Sequence, residues 1–148
     1  MATILLIGSN DALLEGLAQS LVNAGHTTFH AHTAAQGVEI ALADRPLVVV
    51  VERRSAETDP DALRIPLASG GAVLLCHTEG DAPSSLPPVL QRHVLADLTL
   101  PLERNRLHAL VYRVADRARV TGRETGPAPG ASPEPPERPE RPEPPRAR

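Results

Sequence analysis

The sequence predicts an α/β domain built on a five-stranded, doubly wound parallel sheet. Three observations carry that expectation: short apolar runs alternate with amphipathic stretches every 20 to 30 residues, one of those runs is apolar at every position, and glycine or proline punctuates most junctions. Such alternation means right-handed crossovers, with helices covering both faces of the sheet.

The first run, Thr3-Ile4-Leu5-Leu6-Ile7, ends at Gly8 and passes into Ser9-Asn10-Asp11, residues suited to starting a helix. Leu13, Leu14, Leu17 and Leu21 then recur at helical spacing, and Gly25 stands where a glycine closes a helix. Thr27 to Ala31 reads as a second, less apolar strand. Thr33-Ala34-Ala35-Gln36 has capping-box spacing, Val38, Ala41 and Leu42 form the expected inward stripe, and Pro46 ends that helix. Leu47-Val48-Val49-Val50-Val51 belongs at the centre of the sheet, since a strand without polar positions must be covered on both faces. Arg53 to Pro60 reads as a polar loop. The helix expected from Asp61 is shortened or distorted by Pro66. Gly70-Gly71 opens a fourth strand, Ala72 to Cys76, and Ser84 to His93, with Pro87-Pro88, supports only a weak helix. A brief fifth strand, Leu95 to Thr99, stops at Pro101. In the last helix Leu107, Leu110, Val111 and Val114 share a face, while Arg104, Arg106, Arg113 and Arg117 stay in water.

Composition narrows the function. Nine of the 16 prolines lie between Pro127 and Arg148, so residues 1–120 are expected to form the domain and 121–148 a disordered Pro/Glu/Arg-rich tail. That tail reads as a solvated spacer, although Pro133-x-x-Pro136-x-Arg138 and Pro136-x-x-Pro139-x-Arg141 also match a polyproline-groove ligand pattern. No further domain is expected after Val120, so any output passes through another chain. A net charge of −3 and the absence of tryptophan speak against nucleic acid. One cysteine, Cys76, excludes an internal disulfide and a multi-cysteine zinc site, and reads as a small core residue. With no leader and no apolar run of membrane length, the expected compartment is the cytoplasm.

Ligands in this architecture gather at the carboxyl ends of the strands, which singles out Gly8, Ser9, Glu52, His77 and Leu100. There the chain resembles the receiver domains of bacterial two-component response regulators, of the chemotaxis-Y and flavodoxin-like type. The resemblance covers Met1 to about Ala118 and rests on the order of degenerate motifs. The first strand runs into Gly8-Ser9 where receivers carry two acids. Pro46-Leu47 and the valines end in Glu52 where receivers end in a phosphorylatable aspartate. His77 stands in the place of a Thr or Ser, and Leu98-Thr99-Leu100-Pro101 in that of a sequence containing a Lys-Pro pair. The resemblance implies strand order 2-1-3-4-5. It also implies a docking or dimer face made by the helix after the fourth strand, the fifth strand and the last helix, to which Arg104, Arg106, Arg113 and Arg117 would contribute.

Phosphoryl transfer needs anionic oxygens to hold a divalent cation, a fixed positive charge and a carboxylate in line. Gly8 and Ser9 lack the first, Leu100 lacks the second in a chain without lysine, and Glu52 is a methylene too long. The expectation is a degenerate pseudo-receiver that acts without phosphorylation, enzymatic activity, metal or cofactor, by binding protein partners, with self-pairing as one form. A phosphorelay receiver with an aberrant pocket is the alternative. A nucleotide-binding Rossmann-like enzyme is the second, although glycines are missing after Gly8 and no acid closes the second strand at Ala31-His32-Thr33. Glu52 is expected either to imitate a phosphorylated residue or to sit solvated beside Arg53 or Arg54. His77 is expected beside Glu52, as a pH-sensitive contact or a filler. His30 and His32, two apart on a strand, share a face but show no convergent carboxylate, and read as ordinary surface histidines.

Overall fold

A computed structural model describes residues 2–81 and 85–125, with side chains described as far as Val120. The element order is β1 (Thr3–Ile7), α1 (Asp11–Asn23), β2 (Thr27–Ala31), α2 (Ala34–Asp44), β3 (Val48–Glu52), α3 (Arg53–Thr58), a 3-10 turn (Pro60–Arg64), β4 (Ala72–Thr78), α4 (Pro88–Gln91), β5 (Val94–Leu100) and α5 (Arg104–Thr125). The five strands are parallel and lie in the order β2-β1-β3-β4-β5, as the resemblance implies.

Alternation along the strands divides the apolar residues into two cores. Ile4, Leu6, Val48, Val50, Leu74, Cys76, Leu98 and Leu100 face α1 and α5. Leu5, Ile7, Val49, Val51, Val73 and Leu75 face α2, α3, the 3-10 turn and α4. Every residue of β3 is buried, which places it at the sheet's centre. The helix ends follow their local chemistry. The Asn10 side chain accepts the Leu13 N–H at 3.2 Å, and Gly25 closes α1 with φ +96°. Thr33 accepts the Gln36 N–H, while the Gln36 side chain reaches back to the His32 N–H at 2.8 Å.

Four sequence expectations are corrected. Arg53 to Thr58 is helical rather than a loop, because Ala56 and the Arg53 stem are buried there. Leu42 is 61% exposed, since α2 turns Ala34, Gly37 and Ala41 inward instead. β4 and β5 extend beyond their expected ends, β4 through His77 and Thr78 and β5 to Leu100. α5 carries on to Thr125, past the position where the folded part was expected to stop. The shortening ascribed to Pro66 takes the form of the 3-10 turn. The proline-rich segment from Pro127 lies outside the described residues. Among the described residues, no helix is long and apolar enough to cross a membrane.

Candidate functional site

The carboxyl ends of β1 and β3 bring Gly8, Ser9 and Glu52 together. Glu52 is only 7% exposed, and its Oε1 accepts the Ser9 N–H at 3.0 Å. A Cβ on residue 8 would lie 2.8 Å from both Glu52 Cβ and Glu52 Oε1, and 3.0 Å from Leu14 Cδ1. Glycine at position 8 is therefore what admits the longer acid, and the acid folds back over the place where a side chain of residue 8 would project. Its charge is stabilised by a backbone donor instead of a cation. Neither Arg53 nor Arg54 pairs with Glu52 in the described contacts: Arg53 bonds Asp97 at 2.8 Å and Arg54 bonds Asp81 at 3.2 Å. The expectation of a solvated Glu52 is thus corrected to a buried, hydrogen-bonded one.

Leu100 is 2% exposed and belongs to the core beneath α1 and α5. Pro101, joined to it by a cis peptide, is exposed and, with Arg104, lines a hollow of about 250 Å³ against Leu13, Gly16 and Leu17 of α1. Arg104, Arg106, Arg113 and Arg117 are all exposed along α5. A second hollow, about 330 Å³, lies at the switch in strand order and is bordered by Ser9, His32, Thr33, Arg54 and Ser55.

His77 is not a neighbour of Glu52. Glu52 pairs in register with Cys76, so the next residue, His77, projects from the opposite face of the sheet. There His77 Nδ1 meets Asp97 Oδ1 at 2.8 Å, and Nε2 meets Thr99 Oγ1 at 2.9 Å. Asp97 also takes the Arg53 guanidinium, which is 8% exposed as a residue, so one carboxylate ties the start of α3 to β4 and β5. Sequence reasoning missed this network. Its signal was an acid inside the apolar run Leu95-Ala96-Asp97-Leu98.

Two further carboxylates steady the loops at this end. Asp81 accepts the Thr78 N–H at 2.9 Å, which, with Arg54 beside it, holds its carboxyl below the usual range. Glu103 accepts the Thr99 N–H at 2.8 Å and pairs with Arg106, and its carboxyl is lowered for the same two reasons. On the other side of the crevice, the expectation that His30 and His32 lack a carboxylate is corrected: Asp11 converges on both.

The divalent cation implied by the resemblance does not fit these residues. Gly8 and Ser9 present no carboxylate, and the one acid between them is buried with Oε1 committed to the Ser9 amide. A hard cation needs several accessible anionic oxygens.

No protein-family model matches the sequence, and no curated protein matches it. Solved structures do. A signal receiver domain from Vibrio parahaemolyticus superposes with TM-score 0.65 at 18% identity, over 84% of this chain and 98% of that one. The N-terminal domain of a response regulator/sensory box/GGDEF 3-domain protein from Carboxydothermus hydrogenoformans gives 0.62 at 14%, over 84% and 99%. The pseudo-receiver domain of the CikA protein gives 0.57 at 19%, over 78% and 98%. Together with the strand order, these likenesses establish that the chain has the fold of the response-regulator receiver domains.

Proposed function

We propose that this chain is a signalling or regulatory module of the cytoplasm that works without phosphorylation or catalysis, by binding another protein. The observation that carries the proposal is the state of Glu52. It is buried, bonded through Oε1 to the Ser9 amide and packed against Gly8, so the place of a phosphoryl acceptor holds a carboxylate already engaged by the backbone, beside Gly8 and Ser9, which bring no anionic oxygen for a cation. Leu100, sealed in the core, offers no charge to a transferred phosphate. The module's remaining chemical resource is its surface. Arg104, Arg106, Arg113 and Arg117 are exposed on α5, Arg104 on the flank that borders α1 and the other three together on the opposite flank, and a partner with an acidic face suits those three.

Incubation with acetyl phosphate and Mg²⁺, followed by intact-mass measurement, tests the first half. The mass is expected to stay unchanged, and a gain of one phosphoryl group on Glu52 or a neighbouring carboxylate would overturn the reading in favour of a working phosphorelay receiver. The second half is tested with Arg113→Glu/Arg117→Glu, which share one flank of α5. This pair is expected to abolish capture of a partner by the full chain while leaving circular dichroism unchanged, and undiminished capture would move the docking face elsewhere.

A further inference from the structure

Asp11, His30 and His32 meet at the carboxyl end of β2, apart from Glu52. His30 and His32 lie two residues apart, so their rings leave the same face of the chain, with centroids 4.6 Å apart. Asp11, the first residue of α1, delivers its carboxylate to both. Its Oδ1 is 3.0 Å from His32 Nε2 and 3.9 Å from His30 Nε2. One ligand atom from each of the three residues falls within a sphere where all lie within 4.8 Å of one another.

We propose that these three residues bind a first-row transition-metal dication of the Zn²⁺ class. Two imidazoles and a carboxylate are a borderline-soft donor set, suited to such ions and unsuited to Mg²⁺ or Ca²⁺, which take oxygen almost alone. Tetrahedral coordination with bonds of ~2.0–2.1 Å requires ligand atoms about 3.3 Å apart. The Asp11–His32 pair stands at nearly that spacing, and the remaining closure falls to side chains free to turn. Asp11 is 61% exposed and His32 55%, whereas His30, 27% exposed, is the anchored member. That exposure leaves the fourth position to water or to a group from outside, so the site is of the open kind.

Binding exchanges one contact for another. In the empty site His30 Nε2 lies 3.3 Å from the Gly8 carbonyl and donates to it. A metal on Nε2 takes the electron pair of that nitrogen, so the ring proton moves to Nδ1 and the Gly8 bond is released. Gly8 is the residue against which Glu52 packs, and His32 borders the hollow at the switch point. The ion therefore sits one hydrogen bond from the crevice.

The test uses the full chain, stripped with chelator and desalted, then titrated with Zn²⁺ by calorimetry and with Co²⁺ by absorption. One ion per chain is expected, together with a visible Co²⁺ band. His32→Ala and His30→Ala are each expected to weaken binding tenfold or more. His93→Ala, at an exposed histidine elsewhere, should leave it unchanged, and circular dichroism checks that each variant is folded. Imidazole nitrogen spectra should show Nε2 of His30 and His32 shifting together on adding Zn²⁺, which a merely structural role for these rings would not produce. Absence of one-to-one binding, or binding that survives His30→Ala/His32→Ala intact, would overturn the proposal.

Discussion

Gly8 and Glu52 form a single unit, and each explains the other. An added methyl at residue 8 would stand 2.8 Å from Glu52, closer than packed atoms tolerate. Gly8→Ala is expected to cost about 1–3 kcal/mol, read from urea denaturation, because Leu14 hems in the same spot. Adding Glu52→Ala should recover part of that loss, so the double variant is expected to be more stable than the two single costs predict, by about 0.5–3 kcal/mol. The sequence exposed the missing acids at Gly8 and Ser9 and the missing cation at Leu100, because identity alone decides those points. It did not expose the burial of Glu52. Glutamate is ordinarily solvated, and only the neighbouring glycine hinted at room for it. Leu100 supplies a sharper test of how firmly the site is closed. With that side chain 2% exposed, Leu100→Lys buries a charge without a partner in the core and is expected to cost several kcal/mol or to unfold the domain, as followed by circular dichroism.

The elements differ in how plainly the chain announces them. β1 and β3 are marked by uninterrupted apolar runs, α1 by leucines at helical spacing and a closing glycine, and α5 by one apolar stripe. α3 was hidden, because Arg53-Arg54-Ser55 carries the polarity of a loop, and what draws Arg53 inward beside the buried Ala56 includes Asp97, 44 residues away. α2 was mis-phased by its own composition. Leu42 is the bulkiest apolar residue near its end, yet Gly37, whose added Cβ would meet Ile7 Cδ1 at 2.8 Å, sets which side approaches the sheet. The alternation that separates His77 from Glu52 was available in principle, but only once the β3–β4 register is known. Asp97→Ala removes one acceptor shared by Arg53 and His77. The expected loss is about 1–3 kcal/mol, moderated by the partial exposure of Asp97, with faster hydrogen exchange along Arg53–Thr58 as its local signature. Equal exchange rates in parent and variant would mean that α3 is held without the help of Asp97.

For the molecule as a whole, the fully buried residues of the two cores are aliphatic apart from the Cys76 thiol on the α1–α5 side, with Phe29 packed half-buried against the other. Burial, reinforced by the negative charges of Glu52, Asp97 and Asp81, pushes that thiol up to about 12. In the unfolded chain a cysteine titrates near ~8.5. Between the two values the folded state keeps a proton that the unfolded state releases, so stability is unaffected at neutral pH and falls as pH rises above about 9. The slope reaches about 1.4 kcal/mol per pH unit. Urea midpoints compared at about pH 8 and about pH 10 should therefore drop further for the parent than for Cys76→Ala, and parallel drops would clear Cys76 of the effect.

The same aliphatic interior leaves the domain almost without optical signal from its centre. Its lone tyrosine, Tyr112, projects from the outer side of α5 at 71% exposure, and the sequence contains no tryptophan. Tyrosine emission will accordingly change little when the chain melts and will respond when a second surface covers α5. The molecule carries a native reporter of company, while its unfolding must be watched through the backbone.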